Sequence, residues 1–355
     1  MWDDGENMLE KCVQSDSVLP KVSVILFTGA DPTRDKFLFR AINSVLEQNI
    51  SNEFYNFLII CDNERIFTLL DNYYLSKINV KVVPTLKTLG AKVKYGIEHS
   101  DTDLLSFIED DDEFYPDKLS EVVEEFSKDE SLIYLHDNYI TIDYDSKIIK
   151  VPSQQSRMNF ARRIIFKKYE GSNLTDRDIS ELVKAGSLGN NSCITIRKGD
   201  PFLFDDDIVK INYGIDTILL FKALSSNGRV AVCGKFLTKY RVYGGNTSTN
   251  FMPVNAEKDK LAINPTLEYV KRIARMSKNP RLIKLSDIYE YETKFLYILT
   301  QSRIGRLQIL KKIIFLLKIS GLRNRKFELN IFYKACLALI SQKLMRKFVS
   351  LMRGS

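Results

Sequence analysis

The chain has 355 residues, 45% hydrophobic and 27% charged, which is enough for one large domain or two smaller ones with an ample core. Its five cysteines are odd in number and scattered, with no CxxC pair, which argues against a disulfide framework or zinc knuckle and fits a reducing compartment. The net charge of +7 is unevenly spread: Ala256–Ser355 holds 22 basic and 7 acidic residues, net +15, whereas the other 255 residues hold 30 and 38, net −8, so two parts with different partners are expected.

Residues 1–20 are polar and acidic, lack an apolar core, and read as a loose tail, not a signal peptide. Val22–Phe27 is a β-branched run that predicts a buried strand, followed by the turn Thr28-Gly29-Ala30-Asp31. From about Thr33 to Gln48 the apolar residues Phe37, Leu38, Ala41, Ile42, Val45 and Leu46 recur on one helical face. Phe54–Cys61 predicts a second strand, Glu64–Leu75 a short helix, Val80–Val83 a strand, Leu89–His99 a helix and Asp103–Ile108 a strand. Continuous apolar strands alternating with helices indicate βαβ units around a parallel sheet. In such sheets ligands bind at the carboxyl ends of the strands. The polar residues there are Thr28, Asp31, Asp62 and Glu109–Asp112, from three separate strand ends.

Farther on, Tyr139–Tyr144 and Ser192–Arg197 read as strands, and Met158–Lys168 as a basic helix. Asp205–Asp207 has no apolar strand before it and reads as a solvated loop. A helix is expected from Tyr213-Gly214-Ile215-Asp216 through Leu224, with strands at Arg229–Cys233 and Phe236–Tyr240 and a loop over Arg241–Ser248.

The run Glu109-Asp110-Asp111-Asp112-Glu113 sets five carboxylates at the end of an apolar strand. Like charges this close repel and raise one another's pKa values. Two readings stand: a solvated turn before the helix that Pro116 and Asp117 open, or an oxygen-only site for a hard cation such as Mg²⁺ or Mn²⁺.

Five blocks in order resemble the family 2 inverting glycosyltransferases of the GT-A fold. They are Val22–Phe27 with the helix ending in Ala41-Ile42-Asn43-Ser44-Val45-Leu46-Glu47-Gln48; Leu58–Glu64; Leu104–Leu119; Tyr213–Asp216; and Arg241–Ser248. The resemblance covers Lys21–Ser248. It implies an α/β fold with a mostly parallel sheet flanked by helices over residues 21–250, extended by a basic helical region over 251–355. The implied activity is metal-dependent transfer of a sugar from a nucleotide diphosphate, a UDP- or GDP-sugar, to a glycan or polyprenyl-linked acceptor. Asp216 matches the catalytic base. Thr28, Asp62, Glu109 and Asp110 match donor-binding positions, with Lys92 or Lys94 supplying positive charge toward the phosphates. Asp111 and Asp112 fall to the metal, Mg²⁺ or Mn²⁺. Arg241, Tyr243 and Asn246 fall to the loop near acceptor and product.

The sequence departs from the family pattern in places. Cys61 and Asn63 flank Asp62 where Asp and Gly are usual, Ile215 replaces the acid before Asp216, and Tyr243 replaces a His. A second reading, a non-catalytic member that binds nucleotide or glycan within an assembly, rests on those departures.

From Gln301 onward there are 13 basic residues and a single acid, Glu328, on segments with apolar bands at Ile309–Leu317 and Ile331–Met352. Such helices suit the anionic cytoplasmic face of a membrane or a cap packed on the catalytic domain. Their aromatics follow helical spacing and form no stacking platform, which disfavours nucleic acid. No run approaches the ~18 apolar residues of a membrane span.

Overall fold

A computed structural model describes residues 19–151, 159–160, 166–185, 189–243 and 256–300. The N-terminal half alternates as its apolar pattern requires. β1 (Val22–Thr28) is followed by α1 (Asp35–Leu46), β2 (Tyr55–Cys61), two one-turn helices α2 (Ile66–Leu69) and α3 (Asn72–Leu75), β3 (Asn79–Val82), α4 (Leu89–His99) and β4 (Leu104–Glu109). β3, β2, β1 and β4 pair in parallel in that order. Beyond β4 the sheet becomes mixed: β8 (Ile194–Arg197) runs antiparallel between β4 and β6 (Leu132–Ile142), and β9 (Arg229–Arg241) pairs parallel with β6. The short β5 (Glu113–Phe114) and β7 (Phe166–Glu170) lie antiparallel on β9.

Successive strand residues serve opposite faces. On β1, Val24 and Leu26 join α1 and α5 (Lys118–Ser127) in one core, while Ile25 and Phe27 join α4 and α7 (Ile215–Leu224) in the other. Burying each such aliphatic or aromatic side chain is worth about 1.5–3 kcal/mol. The central strands β1 and β4 are therefore apolar almost throughout, because the sheet there is covered on both sides.

The helix expected over Met158–Lys168 does not continue to its end. Phe166–Glu170 is a strand on β9, where Tyr169 is buried and Glu170 exposed. An edge offering unpaired backbone groups outweighs a weak helical pattern here. The two strands expected at Arg229–Cys233 and Phe236–Tyr240 are one, bent by register shifts against β6. Asp205 caps the short 3₁₀ turn Asp206–Lys210.

α6 (Asp176–Ala185), α8 (Ala256–Met276) and α9 (Pro280–Thr300) complete the described elements. Tyr269, Val270 and Ile273 of α8 and Leu282 and Leu285 of α9 share a core with α7, so this part of the basic region packs on the sheet domain. Arg272 holds the turn through Asp205 and Asp207 at 2.6 and 2.7 Å. No helix among the described residues is long and apolar enough to cross a membrane. The apolar bands at Ile309–Leu317 and Ile331–Met352 lie outside the described residues.

Candidate active site

β2, β1 and β4 end side by side. Thr28 is in register with Cys61 and Phe27 with Glu109, which sets Thr28, Asp62 and the acidic run on one rim. The Thr28 hydroxyl is buried and donates to Asp110 Oδ2 at 2.7 Å. From α4, the buried Lys92 Nζ donates to Thr28 O at 2.8 Å and to Asp62 Oδ1 at 2.7 Å. Lys87 meets the other oxygen of Asp62 at 3.3 Å. Desolvation would raise the Asp62 carboxyl, but Lys92 and Lys87 outweigh it and hold it below its ordinary value. Lys94 does not join this group. It pairs with the exposed Asp206 at 2.7 Å and lies 3.9 Å from Glu98.

After β4 the chain turns so tightly that Asp112 N–H donates to Glu109 O at 3.2 Å. The turn is held from beneath by the helix motif. Ser44 Oγ accepts from Phe114 N–H at 3.0 Å, and Gln48 spans from Leu119 N–H (2.9 Å) to Tyr115 O (2.8 Å). Arg241 holds it from the other side. It is fully buried, its backbone N–H donates to Asp112 Oδ1 at 2.9 Å, its Nε donates to Asp111 O at 2.7 Å, and it pairs with Glu113. Arg241 thus reaches the site through this turn, with no surface left for an acceptor.

Glu109, Asp111 and Asp112 each offer a carboxylate oxygen within 4.8 Å of the others. Desolvation, with the charge of Asp111 added, raises Glu109 to about 7 and Asp112 well above its ordinary value. Desolvation raises Asp110 to about 6 against the opposing pull of Arg34. Arg34, at the start of α1, pairs with Asp110 at 2.8 Å and also with Asp111. Its Nε donates to Tyr243 Oη at 2.9 Å, and Tyr243 Oη donates to Asp111 Oδ2 at 3.3 Å. Burial, then the charge of Asp111, pushes the Tyr243 phenol up to about 12. Asn246 lies outside the described residues.

Asp216 sits in the first turn of α7. Its Oδ2 accepts from Asn190 N–H at 2.8 Å and its Oδ1 from Thr217 N–H at 2.7 Å. Desolvation raises it to about 6 although these backbone donors favour the ionised form. The preceding Gly214 has φ +74°, a left-handed conformation that glycine adopts without strain. A Cβ there would meet Thr266 Cγ2 at 2.7 Å and Tyr289 Oη at 2.9 Å. Thr266 Oγ1 donates to Tyr213 O, so α8 and α9 fix the turn that presents Asp216.

The segment before β8 links the two groups of acids. Asn191 Nδ2 donates to Glu109 Oε1 at 2.7 Å, Ser192 Oγ accepts from Glu109 N–H at 3.0 Å, and Asn190 carries the bond to Asp216. Beneath it, Lys118 and Asp137, both fully buried, pair at 2.6 Å, and Lys118 also donates to Ser192 O at 2.6 Å. Sequence reasoning did not find Arg34, Asn190, Asn191 or the Lys118–Asp137 pair. Only Arg34 carried a local signal, since a cation at a helix N-terminus opposes the macrodipole.

The donor set fits a divalent cation. Three carboxylates converge, no softer ligand is among them, and Asp112 Oδ2 is a buried acceptor with no hydrogen-bond partner among the described residues.

No curated protein matches the sequence. Residues 33–183 match the family model for glycosyl transferase family 2. This stretch carries the acidic run and stops short of Asp216. Among solved structures, the chain is similar to S. aureus TarS at 13% identity and a TM-score of 0.50, covering 91% of this chain and 49% of that one. It is also similar to residues 1–349 of S. aureus TarS in complex with UDP-GlcNAc, at 14% identity and a TM-score of 0.56, covering 93% and 92%. The chain therefore spans about half the length of the longer TarS structure. At these identities the likeness speaks for the fold, and the family match speaks for the chemistry. Residues 33–183 are thus similar to glycosyl transferase family 2, and the chain shares the mixed α/β fold of the TarS structures.

Proposed function

We propose that the protein transfers a sugar, with inversion, from a nucleoside diphosphate donor to an acceptor hydroxyl, and that Asp216 is the base. The observation that carries this reading is the pairing of a three-carboxylate cluster with a separate carboxylate of raised pKa, joined through Asn190 and Asn191. The TarS fragment similar to this chain was crystallised with UDP-GlcNAc, which makes UDP-sugars the first donors to test.

In this reading Glu109, Asp111 and Asp112 hold a divalent cation, which when bound neutralises charge on the diphosphate. Asp62, kept ionised by Lys92 and Lys87, accepts from the nucleobase. Asp110, bonded to the Thr28 hydroxyl, then holds the ribose. The acceptor oxygen attacks the anomeric carbon from the face opposite the diphosphate. Its proton passes to Asp216, the new C–O bond forms, and the old C–O bond breaks with its electron pair leaving on the nucleoside diphosphate. General base catalysis of this kind contributes about 10²–10⁴-fold. The turn Asp111–Glu113, clamped by Arg241, Ser44 and Gln48, keeps the carboxylates from moving apart.

We also read the segment from Gln301 onward, with its 13 basic residues and one acid, as a contact to an anionic membrane surface. That placement suits a polyprenyl-linked or growing-glycan acceptor on the cytoplasmic face. The test is nucleoside diphosphate release by purified protein from UDP- and GDP-sugars, with Mn²⁺, Mg²⁺ or EDTA, and with a membrane lipid extract as acceptor. Cation-dependent release from one donor class is the expected result. No release from any donor by folded protein sinks the catalytic reading.

A further inference from the structure

Two buried amide atoms at the centre of the site have no partner among the described residues: Asn190 Nδ2 and Asn191 Oδ1. Leaving such a group unpaired costs about 1–3 kcal/mol, and native structures keep few of them. The neighbouring bonds fix which atom is left over on each side chain. Asn190 Oδ1 accepts from Ser192 N–H at 3.0 Å, so its NH₂ end is the free one. Asn191 Nδ2 donates to Glu109 Oε1 at 2.7 Å, so its oxygen is the free one. One donor and one acceptor therefore stand side by side in sequence. Asn191 is almost fully buried, and Asn190 is held at φ +77°, a conformation few non-glycine residues adopt.

The position says what could pair with them. Resting on the proposed reaction, the diphosphate lies toward Glu109, Asp111 and Asp112, and the acceptor toward Asp216. The donor sugar must then lie between, and Asn190 and Asn191 are bonded to one end each. A hydroxyl both donates and accepts, and adjacent sugar hydroxyls present the two functions together. We infer that Asn190 and Asn191 read the hydroxyls of the donor sugar, Asn190 Nδ2 donating to one hydroxyl oxygen and Asn191 Oδ1 accepting from a hydroxyl. A site built to bond a hydroxyl strongly rejects the analogue lacking it, because its own groups are then left unpaired. This pair therefore discriminates between donor sugars, while the nucleotide is held elsewhere.

The test is calorimetric binding, in Mn²⁺, of UDP against UDP-GlcNAc and of GDP against GDP-mannose, to wild type, Asn190→Gly and Asn191→Ala. Glycine keeps the left-handed backbone at 190. The readout is the ratio of nucleotide-sugar to free-nucleotide affinity, which cancels any change that Asn191→Ala makes at Glu109. The expected result is a fall of about tenfold in that ratio for each variant, the worth of one or two neutral hydrogen bonds. Deoxy-sugar donors lacking the hydroxyl that is read should lose about as much on the wild type and nothing further on the variants, which a purely structural role would not produce. Unchanged ratios in folded variants, as when water satisfies both amides, overturn the inference while leaving the transferase reading intact. A wild type that binds neither UDP nor GDP overturns both.

Discussion

Arg34 pairs with Asp110 at 2.8 Å and at the same time with Asp111, so a guanidinium from the start of α1 stands against the run of carboxylates that ends β4. The ion pairs offset repulsion among acids whose burial already raises Glu109 to about 7 and Asp110 to about 6. A side chain 26% exposed is screened in part, so removing it costs less than breaking a fully buried pair. Arg34→Met should lower stability in EDTA by about 1–3 kcal/mol. With saturating Mn²⁺ the deficit should shrink, because the cation then supplies the missing positive charge. Paired thermal melts in EDTA and Mn²⁺ measure this, and an equal deficit in both would show that Arg34 does not share the cluster's charge balance.

Asp216 gives a pH dependence with a definite sign. Its carboxyl rises from 3.8 to about 6 in the fold, and a base works only when ionised. The transfer rate should climb with pH through about 6 and level off above 7. The stability effect runs the other way. The folded state holds this proton more tightly than the unfolded chain, so the contribution is present below pH 3.8 and is lost as pH rises through about 6. From pH 4 to pH 8 the stability of wild type relative to Asp216→Asn should therefore fall by about 2–3 kcal/mol. Denaturant melts at the two pH values check it. A rate that does not change between pH 5 and 7 would remove Asp216 from the base role.

Gly214 is expected to be intolerant of any side chain. Alanine there would be strained at φ +74° and would drive into Thr266 and Tyr289, at 2.7 and 2.9 Å. Gly214→Ala should cost about 1–3 kcal/mol and lower the turnover number more than donor affinity, since it displaces Asp216 and leaves the nucleotide side alone. Loss of donor affinity equal to the loss of turnover would mean the two halves of the site are not separable.

The pair Lys118–Asp137 lies under the segment that carries Asn190–Ser192, with both side chains fully buried. Lys118→Met alone should cost about 3–5 kcal/mol, because it strands a buried carboxylate. Lys118→Met with Asp137→Leu should recover most of that, since the paired replacement leaves no orphan charge. Urea melts of the single and double variants distinguish this from a simple packing defect, in which the double variant would be the worse of the two.

Much of this arrangement was legible in the sequence, for a physical reason. β1, β2 and β4 are buried on both faces, so they read as apolar runs, and carboxylates at the end of such a run stand out. The match at Ala41–Gln48 marks a structural device, because Ser44 and Gln48 hold the backbone of the acidic turn. Other contacts were not legible because they join residues far apart in the chain. Arg34 meets Asp111 across 77 positions and Asn191 meets Glu109 across 82. Lys92 and Lys94 looked equivalent in sequence, yet one reaches Asp62 and the other Asp206. Arg241 looked like a loop residue and is a buried clamp. β7 was hidden because its strand pattern is short and its stability comes from the edge of β9.

On the proposed mechanism, one carboxylate cluster binds the donor with a cation while Asp216 performs the chemistry. Donor binding and single-turnover sugar release, compared for wild type, Asp111→Asn and Asp216→Asn in Mn²⁺, address it most directly. Asp111→Asn should lose cation-dependent donor binding, whereas Asp216→Asn should bind the donor within about twofold of wild type and transfer at least about 10²-fold more slowly. Transfer by Asp216→Asn at the wild-type rate, or donor affinity in Asp111→Asn that still responds to Mn²⁺ as wild type does, would contradict it.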